Sequence, residues 1–390
     1  MNKKLGLAVA GALVAFASTA NAGITIPAGD WTVDLGGNVN AFYSNTKVQG
    51  SQASNTIGSG LLPSAIGIGA KSRQNDLDVA VQFTFFTGSS AGGAGTAKSL
   101  ESNTLNIRQA FVTVGDASWG TLKGGRDLGV FGSDAILSDM TLLGVGGNLA
   151  PGGSSTLGRI GQGYIYADWY GQFSYTTPNW NGFQLTGAVL EPVNAAGQAS
   201  NDMMYQGKAT YDFAVSDVTG RVWVSGTTQK NAGYTSEGFD LGAKASYSGV
   251  SLVAYYYDGQ GLSSVNRNAN AADATVNPGR GASAFGANVL MGATNGSLSN
   301  VGVKSDDSGG YLQATFVVPG VGTKLGASWG ESSSTYQGAE AKVETWIVGA
   351  YHPLTKSLNL VAEYANADNT YTGLASQSVK TTSLGAILFF

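Results

Sequence analysis

The sequence predicts an all-β fold: a transmembrane antiparallel barrel of sixteen strands, with short turns at one end and long loops at the other. Three observations carry this reading. Apolar residues recur at every second position in one segment after another, and the charges keep to the opposite face. Glycine supplies 58 of 390 residues and charged residues only 12%, about twice and about half of ordinary usage. That disfavours long helices and leaves little charge for a water-facing exterior. Brief connections alternate with long ones rich in Gly, Ser, Ala and Asn.

Residues 1–22 precede the barrel. Lys3 and Lys4 form a basic start, Leu5 to Phe16 an apolar stretch, and Ala20-Asn21-Ala22 a small-x-small cleavage site. This is the pattern of a secretory signal peptide, and the apolar stretch falls short of the ~20 residues of a spanning helix. The barrel is expected over 23–390. The chain has no cysteine, so it is exported without disulfides and carries no thiolate metal site or thiol nucleophile. A formal net charge of −4 with no basic run speaks against a nucleic-acid partner.

The first strand is the clearest. Trp31, Val33, Leu35, Gly37, Val39, Ala41 and Tyr43 share one face, and Thr32, Asp34, Gly36, Asn38 and Asn40 the other. At ~3.3 Å per residue and a tilt near ~40°, this run covers about the thickness of a bilayer core. Leu77–Phe85, Met203–Phe213, Phe239–Tyr247 and Leu358–Tyr364 repeat the alternation. Asp34, Asp78, Arg108, Lys208, Asp212, Arg221, Asp240, Lys244, Lys324 and Glu363 all fall opposite the apolar face. An Arg or Lys facing lipid at mid-membrane costs ~2–4 kcal/mol, so this face is assigned to a wet lumen. A soluble sandwich would segregate its charges too. Lys123 and Lys380 depart from the pattern and are expected near an interface, where their stems can snorkel.

Short turns are expected near Gln74-Asn75, Asp116-Ala117, Pro178-Asn179, Ser216-Asp217, Ser248-Gly249, Pro319-Gly320 and Pro353-Leu354. Long loops are expected at about 48–63, 88–101, 127–162, 191–202, 230–236, 258–308, 332–341 and 366–378. Seven turns alternating with eight loops join sixteen strands. A hairpin hidden in Ala282–Val303 would make eighteen. The chain closes on an apolar strand, with Thr382, Leu384, Ala386, Leu388 and Phe390 on one face. Ile387 and Phe389 then point toward the lumen, where the sequence offers them no evident partner.

Several segments resemble the trimeric general porins of Gram-negative bacteria. They are VDLGGNVNAFY from Val33, NIRQAFVTVGDASWGTLKGGRDLGVF from Asn106, FSYTTPNWNGFQLTGAV from Phe173, WIVGAYHPLTKSLNLVAEYANAD from Trp346, and the terminal Phe390. The resemblance implies a homotrimer in the lipid of the outer membrane, with the third loop folded into the lumen. It implies a pore constriction where acids on that loop face bases on the wall. Matched position by position, the bases are Arg108, Arg126 and Arg159, and the loop acids are Asp127, Asp134 and Asp139. The chain departs from the family pattern where Asn38 and Asn40 stand on the first strand, and in a loop that is unusually apolar through Ala135-Ile136-Leu137, Leu142-Leu143, Val145, Leu149 and Ala150.

Enzyme readings find little support. The single histidine, His352, lies beside Pro353 at a turn, without the partners a catalytic dyad or metal site needs. No phosphate-cradling Gly-Lys-Ser/Thr motif occurs, and no cofactor is expected. Trp223, Tyr255 and Tyr257 are candidates for a sugar platform in the lumen, and Asp306-Asp307 for a loop cation. The expected function is a water-filled channel for passive diffusion of ions and small hydrophilic solutes. The alternatives are a substrate-selective channel of the same fold, or a plugged barrel serving as adhesin or scaffold.

Overall fold

The computed structural model describes residues 23–87, 105–147, 156–192, 202–231, 234–262, 264–266, 275–277, 304–336, 339–373 and 375–390. The leader at 1–22, the loop expected at 88–101 and the candidate hairpin Ala282–Val303 lie outside them. Sixteen strands form the wall: β1 Trp31–Val48, β2 Ser64–Gln74, β3 Leu77–Thr87, β4 Asn106–Asp116, β5 Gly120–Leu128, β6 Trp169–Thr176, β7 Phe183–Leu190 and β8 Met204–Val215. They continue as β9 Val218–Asn231, β10 Tyr234–Tyr247, β11 Val250–Gln260, β12 Asp306–Val317, β13 Lys324–Tyr336, β14 Ala339–Pro353, β15 Leu358–Tyr371 and β16 Gln377–Phe389.

Each strand pairs antiparallel with its sequence neighbours, and β16 pairs back onto β1 from Asn38↔Phe389 to Val48↔Val379. Closure leaves no open edge in lipid, where an unpaired backbone group is costly. β11 pairs directly with β12 from Val250↔Phe316 to Gln260↔Asp306, so the chain between them adds no wall strand and the barrel has sixteen. A short strand, Ile24–Ala28, pairs with β1 from Leu35 down to Trp31, where β16 has already ended. Another, Ser54–Gly58, pairs with β1 beyond the end of β2 and occupies part of the loop expected at 48–63.

All seven short turns fall where their turn residues place them. Ser216 and Ser248 adopt positive φ, and Gly249 follows Ser248 at φ 84°. The loops expected at 230–236 and 332–341 are hairpins of extended strand, because the ladders run on to Asn231↔Tyr234 and Tyr336↔Ala339. At 366–378, β15 likewise continues to Tyr371. Beyond the bilayer a ladder no longer needs an apolar face, so the loss of alternation in the sequence does not end the strand.

Much of the predicted outward face is exposed, including Val39, Tyr43, Phe83, Tyr205, Leu241, Leu360 and Leu384, while Trp31, Val33, Leu35 and Phe85 on the same face are half-buried. Lys380 is exposed on the outer side near the long-loop end, in register with Lys47. Lys123 differs from expectation. It pairs in register with buried Thr113, its ammonium lies 5.0 Å from the Phe111 ring centroid, and it bridges to Asp127 on the inner side.

Candidate functional site

The chain after β5 turns into the barrel. It forms a one-and-a-half-turn helix, α1 Ser133–Ser138, then a 3₁₀ turn at Met140–Leu143. Inward residues of the wall bind it in order. Gln206 on β8 accepts from the backbone N–H groups of Val130 and Phe131 at 2.7 and 3.0 Å. Asp240 on β10 accepts from Gly132 N–H at 3.0 Å. Tyr311 on β12 donates to the Ala135 carbonyl at 2.8 Å, and Gln313 accepts from Met140 N–H at 2.7 Å. Glu363 on β15, 4% exposed, accepts from Val145 and Gly146 N–H at 2.7 and 2.8 Å and from the Tyr351 hydroxyl at 2.6 Å. A loop inside a barrel needs partners for its backbone groups, and these side chains supply them.

Apolar contacts complete the docking. Met140, Leu143 and Val145 pack against inward Phe42, Ile347, Tyr351, Val361, Ala365, Ile387 and Phe389. That explains together the apolar character of the loop and the two inward apolar residues of the last strand. They are two sides of one interface, with Ile347 0% and Ile387 1% exposed. Asn40 is a further anchor whose role the sequence did not show. It accepts from Gly60 N–H at 2.9 Å and donates to the Leu62 carbonyl at 2.7 Å, drawing the first loop inward until Leu61 N–H meets the Gly144 carbonyl at 2.8 Å.

Five of the six expected constriction residues lie inside the barrel, in separate settings. Asp134 accepts from Lys208 at 2.6 Å and from Arg221 at 3.0 Å, so its partners are bases on β8 and β9. Burial works against its ionisation, but Lys208 and Arg221 together outweigh it and hold the carboxyl below the usual range. Asp139 accepts from Thr141 N–H at 2.9 Å, the Thr141 hydroxyl at 2.6 Å and the Tyr164 hydroxyl at 2.8 Å, capping the 3₁₀ turn. Asp127 accepts from Gln109 at 2.8 Å and binds Lys123.

Arg159 is fully buried. It donates twice to the Ser328 hydroxyl, at 3.0 and 2.7 Å, and to the carbonyls of Gln162 and Thr345 at 3.1 and 3.2 Å. A Cβ at Gly330 would lie 2.6 Å from its Nη1, so the wall strand needs glycine there. Arg108 is the extra residue of a bulge: Thr84 pairs with Gln109 but Phe85 pairs with Ile107. The bulge turns both Arg108 and Gln109 inward, and the Arg108 guanidinium stacks 4.7 Å from the Phe86 ring centroid. Arg126 stands apart. It shares the outer face with its register partner Ala110, and its guanidinium lies 3.5 Å from Glu191.

The aromatic candidates are not an open platform. Trp223 stacks on Tyr255 at 6.4 Å, and Tyr255 meets Tyr311 at 5.7 Å, all buried under the loop. Asp307 accepts from Leu262 N–H at 2.7 Å and from the Ser305 and Ser334 hydroxyls, in the manner of a loop anchor.

A closed antiparallel barrel with a polar interior and an infolded loop defines a transmembrane channel. A family model described as Gram-negative porin matches residues 8–372, and the chain belongs to that family. It is an outer-membrane porin channel. Among solved structures, Salmonella typhi OmpF in complex with daunomycin aligns at TM-score 0.61 and 16% identity, covering 94% of this chain and 100% of that one. The anion-selective porin from Comamonas acidovorans aligns at 0.60 and 15%, covering 92% and 100%. The outer-membrane channel DcaP of Acinetobacter baumannii aligns at 0.60 and 14%, covering 95% and 100%. A search of curated proteins finds no match.

Proposed function

We propose that the protein passes small hydrophilic solutes and ions by diffusion through a homotrimer, with a weak preference for anions. The observation that carries the preference is inward Lys244 and Lys324 on β10 and β13, with Lys244 exposed to the lumen, standing beside Lys208 and Arg221, whose charges Asp134 and Asp212 meet. Charges lining a pore tune which ions enter it. The predicted constriction residues divide between two tasks. Arg159 and Asp139 hold the loop in place, while Asp134, Asp127 and Arg108 shape the field beside it. Arg126, on the outer face, contributes little to that field.

The trimer is supported by the family and by the structure of OmpT of Vibrio cholerae described in its trimer form. The leader is removed after Ala22, and the mature chain begins at Gly23. No bond chemistry is needed. His352 Nδ1 lies 2.9 Å from the Thr323 hydroxyl at the turn end, and its replacement is expected to leave transport unchanged. Liposome swelling over a series of sugars tests the diffusion reading: rates that fall smoothly with solute size support it, and saturable uptake of one solute counts against it. Sedimentation of the detergent-solubilised protein at the mass of a single chain would remove the trimer.

A further inference from the structure

The wall between β1 and β2 is interrupted midway along β1. The short strand Ser54–Gly58 runs along β1 as far as Phe42↔Gly58, and β2 resumes the ladder at Asn38↔Ala65. Three residues of β1, Val39–Ala41, therefore stand opposite six, Ser59–Ser64. An ordinary bulge sets two residues against one. The excess here is too long to lie in the sheet, and it folds into the barrel, where all six residues are buried.

Side chains of β1 hold the excursion in shape. Asn40, 2% exposed, accepts from Gly60 N–H at 2.9 Å and donates to the Leu62 carbonyl at 2.7 Å and to Asn38 Oδ1 at 2.8 Å. Asn38 donates to the Pro63 carbonyl at 3.2 Å, and the Asn40 N–H donates to the Ser64 hydroxyl at 3.1 Å. These bonds stand in for ladder partners that a buried backbone segment would otherwise lack. An amide suits the task because it accepts and donates at once.

The tip of the excursion meets the third loop on both of its arms. Leu61 N–H donates to the Gly144 carbonyl at 2.8 Å, and the Gly60 carbonyl accepts from Thr156 N–H at 3.4 Å. Leu61 joins the buried cluster of Ile136, Leu142 and Ile160, and Leu62 that of Met140 and Val145. A Cβ at Gly60 would lie 2.2 Å from the Gly144 oxygen, so the two loops come this close only through glycine. Tied to β1 on one side and packed on the third loop on the other, the tip is a solid spacer, since close-packed interiors transmit position rather than yield.

We propose that residues 59–64 are a wedge that holds the third loop off the wall at β1 and so sets the aperture of the pore, with Asn40 as the residue that positions it. Resting on the reading of a diffusion pore, the wedge decides by size which solutes are admitted. When the tether is lost, the wedge leaves its seat, the third loop settles toward the wall and the passage widens.

The chain has no cysteine, so Leu61→Cys places a single buried thiol at the tip. Adding Asn40→Ala to it is expected to speed labelling by a charged, water-soluble thiol reagent roughly 30-fold in the detergent-solubilised full chain, the effect of losing two hydrogen bonds. Asn40→Ala alone is expected to raise the largest sugar admitted in liposome swelling over arabinose, glucose, sucrose and raffinose. Leu62→Ala keeps every bond of Asn40, thins the wedge and is expected to move the size limit the same way; it decides alone if Asn40→Ala fails to fold. Labelling that Asn40→Ala leaves unchanged, or a size limit that neither variant moves, overturns the proposal. Saturable uptake of one solute by the wild type counts against free diffusion alone, and the wedge stands if the variants then admit larger sugars.

Discussion

Replacing Arg159 by methionine separates a residue that lines the water path from one that holds the loop. The side chain is fully buried and makes four hydrogen bonds, two to Ser328 and one each to the Gln162 and Thr345 carbonyls. Bonds from a charged donor contribute about 1.5–3 kcal/mol each, roughly 6–12 kcal/mol before offsets. Methionine fills similar space without burying a charge, which returns several kcal/mol. A net loss of about 3 kcal/mol follows, felt locally, because Tyr164, Gly163 and Gln162 keep bonds to Asp139, Ser332 and Thr345. Local opening of that size speeds amide exchange roughly 100-fold. Hydrogen–deuterium exchange of residues 157–164 in Arg159→Met reads it against wall peptides such as 324–336, which are expected to stay unchanged. Exchange within threefold of the wild type, together with a large shift of reversal potential, would refute the reasoning and return Arg159 to the open path.

Other expectations follow from the same geometry. Lys244→Glu reverses an exposed lumen charge and shifts the reversal potential toward cations, while Arg126→Ala, on the outer face, leaves it within error. Ile387→Ala removes a buried contact beneath the loop and lowers stability by about 2–4 kcal/mol, read as a lower melting temperature in detergent. Asp168, just before β6, is pushed up to about 6 by burial, with Trp169 N–H, Arg126 and Arg108 opposing. Its folded pKa exceeds its unfolded one, so its contribution to stability is present below pH ~4 and lost as pH rises toward 6; Asp168→Asn removes that step from the melting profile. Asp134 has the opposite sign. Its pKa is depressed, so the bridge to Lys208 and Arg221 persists at pH 5 and is lost only as pH falls below the ordinary aspartate range, which exchange of residues 133–138 would report.

The wall was legible in the sequence because its causes are local. Alternation with period two, turn residues such as Ser216-Asp217 and Ser248-Gly249, and charge on one face each act within a few residues. The candidate site was legible only in part. Arg108, Asp127, Asp134, Asp139 and Arg159 were found by resemblance, but their partners lie far along the chain: Asp134 with Arg221, Arg159 with Ser328, Val145 with Glu363. No spacing rule reaches across such separations. Ile387 and Phe389 made no sense on their strand alone, and they do once Met140 and Val145 are seen above them. Arg126 was placed in the lumen by resemblance, but the β4–β5 ladder runs unbroken from Asp116↔Gly120 to Ala110↔Arg126, and plain alternation from outward Leu122 sets Arg126 on the outer face.

The most direct test of an open, weakly anion-preferring porin is single-channel recording in a planar bilayer under a tenfold salt gradient. Stable ohmic steps are expected, with a reversal potential on the anion side that moves toward zero in Lys244→Gln. No conductance, or a reversal potential on the cation side that Lys244→Gln leaves unchanged, would contradict it.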